Sequence, residues 1–402
     1  MKKSPAQTYL FLGLFTAFAA LMVANPVLPP LARKLGISEI ETGIIISISA
    51  LMLAIVSPLW GGLSERIGRK SVFVTGLVGY AIGMGLFAGV AHLGLNNAFT
   101  GMTLLIFLVM SRLIVGIMIA AVPVSSQAYM ADITDTENRS AGMAMMGAAN
   151  GLGTLLGPAI GALLVTFGLL VPLYASAFAV FAIALLIMIA LPASPKPRKL
   201  EKPPKLSPFD RRILPFLLIG LMTMLAIVLL QVTIGFYLID QFSFELEAAA
   251  QTTGILLVIV GVCLAFVQGV IVTRFKWPPQ TLLRFGLPIL TVGLTVMIIS
   301  TDIKGVMAAF AVMGVGAGLI FPGFTSGASL SVSDQEQGSV AGLIGAFNGA
   351  GAVVGPIAGT ALYQVSSTAP YIASIIILVI LTFFIWTNSV NMKSANTKEA
   401  NA

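Results

Sequence analysis

Long apolar stretches alternate with short polar segments along the whole chain, and this pattern predicts a series of membrane-spanning helices. An α-helix rises 1.5 Å per residue, so about 20 apolar residues cross the ~30 Å hydrocarbon core of a bilayer. Runs of about that length cover residues 8–28, 42–63, 71–91, 101–127, 140–165, 170–191, 213–238, 251–272, 282–300, 305–328, 337–362 and 369–390. Because the runs are continuous instead of alternating every second residue, they favour helices over a β-barrel. We therefore predict an all-α membrane protein with twelve transmembrane helices.

The composition supports this class. Of the 402 residues, 57% are hydrophobic and only 9% are charged, whereas about 25% of the residues in an average soluble domain are charged. A net charge of +7 could indicate nucleic-acid binding, but the cations fall in short clusters between apolar runs and not on one patterned face. The first run lacks a signal-peptidase site and is interpreted as a transmembrane helix.

The distribution of Lys and Arg predicts the orientation. We assign about 18 of the 22 to the side of the amino terminus and three, Arg33, Lys34 and Lys304, to the opposite side. Arg112 remains inside a predicted span. Cytoplasmic loops carry the excess of Lys and Arg, so both termini are predicted to be cytoplasmic.

The chain also divides into two similar parts. Residues 192–212 are rich in proline and in basic residues, lack apolar periodicity and are predicted to be a cytoplasmic linker. This linker joins an N-terminal six-helix half, 1–191, to a C-terminal half, 213–392, and 393–402 form a cytoplasmic tail. Segment 150–161 matches segment 348–359 at a constant offset of about 198 residues, with the same Asn, Gly and Pro positions. These two segments are predicted to be the fifth helix of each half.

A polar segment at 61–70 separates the second and third apolar runs. It holds three cations and one carboxylate, and a charge at the bilayer centre costs roughly 2.5–3.5 kcal/mol. We therefore expect a connection of about ten residues that forms a short loop at the membrane surface. The positions that define its pattern are Gly61, Leu63, Glu65, Arg66, Gly68, Arg69 and Lys70.

This segment, together with the count of helices, resembles the major facilitator superfamily, and specifically its twelve-helix drug:proton antiporter branch. The family pattern usually has Asp where this chain has Glu65. Three further patterns support the resemblance: Arg112 and Gly116 in the fourth run, the antiporter motif Gly153, Gly157, Pro158 and Gly161 in the fifth, and Pro26, Leu28, Pro29, Leu35 and Gly36 near the first.

The resemblance implies two six-helix halves that alternate access to a central pocket, and it favours efflux. It also implies that Glu65 latches the halves in the outward-facing state; a topology signal without a latch is the alternative. The residues implied in gating are Gly61, Glu65, Arg66, Gly68, Arg69, Lys70, Asp132 and Arg139. In the second half the corresponding copy is weak, because Thr273 replaces the acid.

Arg112 is the candidate for chemistry inside the membrane. An arginine at that depth is expected to face the bundle interior or a wet cavity, in a substrate or proton-relay role. A structural arginine, satisfied by carbonyls and by amides such as Gln127 or Asn150, is the alternative. No Asp or Glu falls within a predicted span, so Asp240 at the outer end of the seventh helix is the nearest candidate proton carrier; a water-exposed helix end is its alternative.

A pocket whose fixed charge is Arg112 should favour neutral or anionic solutes over lipophilic cations. Methionine and aromatic side chains adapt to solutes of varied shape, although ordinary packing is the alternative for each of them. The candidate substrate-binding residues are Arg112, Asn25, Met22, Gln127, Tyr129, Gln231, Phe236, Tyr237, Phe321 and Phe324.

The function predicted from these features is secondary active transport in the bacterial inner membrane, as proton-coupled efflux of small organic molecules. The alternatives are an exporter of an endogenous anionic metabolite such as a siderophore, and a non-transporting membrane sensor. The sequence has no phosphate-binding loop, metal-ligand cluster or nucleophile constellation, so we expect neither an enzyme nor a cofactor. The expected partners are the solute, protons and the lipid bilayer, with no nucleic acid, and the chain is expected to be a monomer.

Overall fold

A computed structural model describes residues 5–135, 138–193 and 206–387, and these residues are almost entirely helical, without strands. The helices before residue 194 are α1 (Pro5–Val23), α2 (Leu28–Lys34), α3 (Glu39–Ile67), α4 (Arg69–Leu95), α5 (Gly101–Ile119), α6 (Ala121–Ile133), α7 (Arg139–Val165) and α8 (Val171–Ala190). Those after residue 205 are α9 (Leu214–Phe242), α10 (Leu246–Phe266), α11 (Thr273–Phe275), α12 (Pro279–Ile299), α13 (Ile303–Leu330), α14 (Gln337–Val365) and α15 (Ala369–Thr387). A π-helical segment, Val267–Val272, links α10 to α11, and a 3-10 turn, Asp334–Glu336, precedes α14.

Twelve stretches within the described ranges are long and apolar enough to cross a membrane. Two of them combine several elements: α5 and α6 form Gly101–Ile133, and α10, the π segment and α11 form Leu246–Phe275. The predicted all-α class and the number of spans are therefore confirmed.

The described residues group into two units. The first unit contains those of Met1–Lys199 together with Gly235–Ile255, and the second contains those of Leu200–Ile234 and Leu256–Ala402. The far end of α9 and the start of α10 thus pack with the first unit. Residues 194–205 of the predicted linker and the whole predicted tail, 393–402, lie outside the described residues, so the boundaries of the halves, linker and tail remain predictions.

The prediction of a ten-residue loop at 61–70 is wrong. Helix α3 continues to Ile67 and α4 begins at Arg69, so Gly68 alone separates them, with a φ of +93°. Glycine tolerates this backbone conformation because it has no Cβ. Polar residues end an apolar run but need not end a helix, because long charged side chains can reach water from a helix at the membrane surface.

The antiporter motif lies where α7 packs on α1. A Cβ atom added at Gly153, Gly157 or Gly161 would lie 2.7, 2.5 or 2.7 Å from a carbonyl oxygen of α1. These three oxygens belong to Phe15, Ala19 and Val23, which follow one another at one helical turn. Glycine is required here because any larger residue would push the two backbones apart.

The repeated segment makes the corresponding contact in the second unit, where α14 packs on α9. A Cβ at Gly351 would lie 2.9 Å from the Leu221 carbonyl oxygen, and one at Gly355 would lie 2.6 Å from the Val228 side chain. Both copies of the repeat therefore use glycine to bring two long helices together.

Candidate functional site

Arg112 lies in the interior of the first unit. It follows Gly101, the first residue of its span, by eleven positions, which is ~16 Å along the helix, and only 3% of it is exposed. Its Cζ atom lies 4.5 Å from the ring centroid of Phe87 on α4, a cation–π contact. The guanidinium is thus held inside the unit against an aromatic ring, about a third of the way along the stretch Gly101–Ile133.

Gly116, one turn after Arg112, explains how this arginine becomes buried. A Cβ at Gly116 would lie 2.6 Å from the Ser49 carbonyl oxygen, so glycine allows α3 to pack directly on α5. The Ser49 hydroxyl in turn donates a hydrogen bond of 2.9 Å to the Arg112 carbonyl oxygen. The four-residue spacing therefore places Arg112 one helical turn before the point where α3 and α5 touch.

The charge on Arg112 has no acidic counterpart among the described residues. Within the same ranges, its Nε atom and the buried hydroxyl of Tyr80 have no hydrogen-bonding partner. Gln127 is exposed on α6, and the Asn150 Oδ1 atom accepts from the Thr154 hydroxyl at 3.3 Å. Neither amide makes the contact that a purely structural Arg112 was expected to have.

The other candidate substrate-binding residues of the first unit are distributed over several contacts. The Asn25 amide donates to the sulfur atom of Met22 at 3.4 Å, at the end of α1. The Tyr129 hydroxyl donates to the Pro192 carbonyl oxygen at 3.0 Å, so it ties α6 to the segment that follows α8. Tyr237 is buried, and its ring centroid lies 6.0 Å from that of Phe242.

In the second unit, Phe321 and Phe324 of α13 lie together, with ring centroids 5.8 Å apart. Gln231 on α9 is half-buried. An apolar groove of about 290 Å³ also lies on this unit, on α9 and α15. Its lining, which includes Leu218, Met222 and Phe384, offers no polar group to orient a solute, so it does not add to the candidate site.

The residues implied in gating centre on a buried ion pair. The Arg69 Nε atom lies 3.2 Å from Asp132 Oδ2, and the two side chains are 9% and 4% exposed. The Arg69 guanidinium also donates to the Ser64 hydroxyl at 2.6 Å. Glu65, by contrast, is 66% exposed and 3.9 Å from Arg69. The start of α4 is thus fixed to the end of α6 by Arg69 and Asp132, and the latch role of Glu65 stays a prediction.

The remaining gating candidates surround this pair. Arg66 is exposed and Lys70 is half-buried. Arg139 donates to the Ala131 carbonyl oxygen at 3.5 Å and pairs with no carboxylate of the described residues. A Cβ at Gly61 would meet the Val124 side chain at 3.5 Å, which is ordinary contact.

A second charged cluster occupies the opposite end of the first unit. One guanidinium nitrogen of Arg33, Nη2, lies 2.7 Å from Glu39 Oε1 and 2.8 Å from Asp240 Oδ2. The Arg33 Cζ atom lies 5.2 Å from the ring centroid of Phe236, which is fully buried. Next to it, Lys34 Nζ lies 3.5 Å from Glu247 Oε1. Asp240, the candidate proton carrier, is therefore a member of an ion-pair cluster and not a solitary helix end.

Comparison with known proteins identifies the family. The family model described as Major Facilitator Superfamily matches residues 10–345 and 281–401. The chain belongs to the Major Facilitator Superfamily. It is 28% identical over 388 residues to multidrug resistance protein 1 of Bacillus subtilis (strain 168), covering 94% of this chain and 95% of that protein.

Two further similarities agree with this membership. The quinolone resistance protein NorA of Staphylococcus aureus (strain COL) is 24% identical over 372 residues, which is 90% of each chain. The crystal structure of a bacterial homolog to the human lysosomal transporter Spinster, inward-facing and occupied, matches with a TM-score of 0.75 at 13% identity over 96% of this chain and 97% of that one. The predicted family and fold class are confirmed. As a member of the Major Facilitator Superfamily, the protein is a multi-pass membrane transporter and not an enzyme.

Several residues at these sites could not be identified from the sequence. Phe87 lies in an apolar run, where nothing separates the aromatic partner of Arg112 from ordinary packing. Arg33 did carry a signal, because it is one of three cations assigned to its side of the membrane and lies six residues before Glu39. Its link to Asp240 joins positions 207 residues apart, a distance over which sequence spacing gives no information. Within the described ranges, no group of three or more His, Cys, Asp or Glu residues could hold a metal ion.

Proposed function

We propose that this protein exports neutral or anionic small organic molecules in exchange for protons, by alternating access, with both termini in the cytoplasm. The observation that carries the proposal is Arg112, a charge that is 3% exposed in a transmembrane helix and has no carboxylate partner among the described residues. Asp240 is the proposed proton carrier.

The charge of Arg112 can act on a solute that does not touch it. Charges in a medium of low dielectric interact over longer distances than in water, because solvent and salt screen them poorly. An uncompensated arginine buried within a transmembrane helix therefore raises the potential around it. This potential disfavours a cationic solute at the same depth and favours an anionic or neutral one.

The similar proteins support export. One is named a multidrug resistance protein and another a quinolone resistance protein, and removal of a toxic compound from the cell is a direct way to cause resistance. The two names also suggest that the cargo is an organic molecule of moderate size. The candidate substrate-binding residues named above remain part of this proposal.

Uptake into everted membrane vesicles tests direction, coupling and charge preference together. The panel contains neutral, carboxylate-bearing and quaternary ammonium compounds, each measured with and without a pH gradient. We expect gradient-dependent accumulation of the neutral and anionic compounds. Arg112→Ala should reduce anion uptake about tenfold, while Arg112→Lys, which keeps the charge, should retain more of it.

Ethidium, a lipophilic cation, tests the proposed charge preference from the other side. Ethidium uptake that is fast and insensitive to Arg112→Ala would contradict the proposed charge preference. A protein that binds solutes in liposomes but gives no counterflow would be a sensor and would contradict transport. Anion export that persists without a pH gradient would leave export standing and remove proton coupling.

A further inference from the structure

We propose that Arg33 is a positioning residue that holds α9 against α2 through Asp240 and keeps only its ion pair with Glu39 when Asp240 loses its charge. The inference rests on the proposed role of Asp240 as proton carrier and adds the device that would couple its charge to movement. In the predicted orientation this device is at the outer end of the first unit.

One nitrogen atom of Arg33 serves both carboxylates. Arg33 Nη2 lies 2.7 Å from Glu39 and 2.8 Å from Asp240. Asp240 and Arg33 are each 34% exposed, whereas Glu39 is 14% exposed. Neutralising Asp240 would therefore remove one of two competing partners and leave Arg33 paired with the more buried one.

Glu39 belongs to α3 and not to α9. It lies in the first turn of α3, where the helix dipole favours a carboxylate. This turn is fixed by a capping box, in which the Ser38 backbone nitrogen donates to Glu41 Oε2 at 2.8 Å and the Glu41 nitrogen donates to the Ser38 hydroxyl at 3.4 Å. The local pair of Arg33 and Glu39 can thus persist while the contact to Asp240 breaks.

The contact that Asp240 holds is a tight one. A Cβ at Gly235 on α9 would lie 2.9 Å from the Cβ of Pro29 in α2. Phe236, the next residue, is covered by the Arg33 guanidinium. The ion pairs at this end of the unit involve Arg33, Lys34, Glu39, Asp240 and Glu247. Of these, the Arg33 and Asp240 pair joins α2 to α9, the same two helices that meet at Pro29 and Gly235, so its loss should loosen that contact.

The test measures access to a buried position next to Arg33. Ala32 is 5% exposed, and Ala32→Cys in a Cys263→Ser background gives a single thiol for a membrane-impermeant maleimide applied to the outer face of intact cells. We expect Asp240→Asn, which imitates the neutral carboxyl, and Arg33→Gln to raise the labelling rate about threefold to fivefold. Glu39→Gln should leave it unchanged, because Arg33 then keeps Asp240.

Two controls separate gating from general damage. Thr100→Cys, at an exposed position on the same side, should label equally in every variant. Lys34→Gln removes the neighbouring, more exposed cation and should have a smaller effect than Arg33→Gln. Ala24→Cys, a second reporter that is 1% exposed, repeats the measurement if the first reporter impairs folding.

Unchanged labelling in both Asp240→Asn and Arg33→Gln would overturn the inference, as would an equal effect of Lys34→Gln. The assay needs neither solute nor a pH gradient. Its failure is therefore distinct from a failure of the proposed export, which is measured by uptake. Altered access combined with normal uptake would support the positioning role and remove Asp240 from proton coupling.

Discussion

The two copies of the connection between the second and third helices of each half differ in what stabilises them. In the first copy, Gly68 alone separates α3 from α4, and Arg69 forms a buried pair with Asp132. In the second, a π-helical segment precedes Lys276, which has a left-handed φ of +48°. Aligning Gly61 with Gly269 places Lys276 at the position of Gly68. Both positions have a positive φ, but ψ is 144° at Gly68 and 40° at Lys276, and only the first copy uses glycine there.

The next aligned position shows the larger difference, since Trp277 stands where the first copy has Arg69. The Trp277 ring centroid lies 5.6 Å from those of Phe275 and Phe285. One copy therefore fixes its connection with a buried ion pair, and the other with aromatic packing. A common backbone position has been stabilised by two different kinds of interaction, which respond differently to substitution.

The largest expected effect comes from breaking the ion pair. Arg69→Ala would leave Asp132, 4% exposed, as a buried charge without its partner, at a cost of about 3 kcal/mol in the free energy of unfolding. Trp277→Ala removes packing from a half-buried ring and should cost about 1–2 kcal/mol. Thermal unfolding of the purified proteins in one detergent compares the two.

A double-mutant cycle decides whether the pair itself is responsible. Arg69→Ala combined with Asp132→Ala should recover much of the loss, because no buried charge then remains unpaired. Glu65→Gln is the matched control, since this carboxylate is 66% exposed and its loss should change stability by less than about 0.5 kcal/mol. A double variant no more stable than Arg69→Ala would show that the pair is not what fixes the start of α4.

The second comparison concerns the glycine contacts of α7 and α14. A Cβ at Gly157 would lie 2.5 Å from the Ala19 backbone oxygen, whereas one at Gly355 would meet the Val228 side chain at 2.6 Å. Rotation about χ1 can move the Val228 Cγ1 atom, and the Val228 Cβ at 2.8 Å leaves a smaller overlap than the Ala19 oxygen, which moves only with the α1 backbone. Gly157→Ala should therefore destabilise the protein by about 2–3 kcal/mol and Gly355→Ala by about 1 kcal/mol, measured by the same thermal unfolding.

The repeat itself supplies the controls for this prediction. Gly151 and Gly349 occupy matching positions one or two turns earlier, and a Cβ at either would meet nothing within 4 Å. Replacing either by alanine should be neutral or slightly stabilising, since alanine is the better helix former. Equal losses at Gly157 and Gly355 would mean that α1 and α9 both move aside, and the proposed difference between the copies would be wrong.

Much of this architecture could be predicted from the sequence, because the bilayer imposes a length and a polarity on every span. The close packing of α7 on α1 agrees with the glycine pattern at 153–161, since small residues at every fourth position let membrane helices approach closely. The loop at 61–70 was missed because hydropathy reports where a chain leaves the membrane and not where its helix ends. The partners of Arg112 and Arg33 depend on which faces of distant helices meet, which no local pattern contains.

The smallest expected effect concerns an exposed charge cluster of the second unit, which contrasts with the buried pair of Arg69 and Asp132. Arg212, just before α9, lies 2.8 Å from Asp210 and 3.0 Å from Glu336 in the turn before α14. Hydrogen bonds from the Arg212 guanidinium hold the pKa of both carboxyls below their usual range. A carboxyl whose pKa is lower in the folded state takes up protons more readily when unfolded, so its contribution to stability is present at neutral pH and is lost in acid.

We therefore expect Arg212→Gln to lower the free energy of unfolding at pH 7 by less than about 1 kcal/mol, because Arg212 is 46% exposed. The difference from the unsubstituted protein should shrink as the pH falls below roughly 4, through the lowered pKa values of the two carboxyls. Thermal unfolding at several pH values between neutral and acid checks this trend. Arg211→Gln is the matched control, since Arg211 is also exposed and forms no ion pair among the described residues. A difference that stays constant with pH, or appears equally at Arg211, would show that packing and not charge links the start of α9 to the turn before α14.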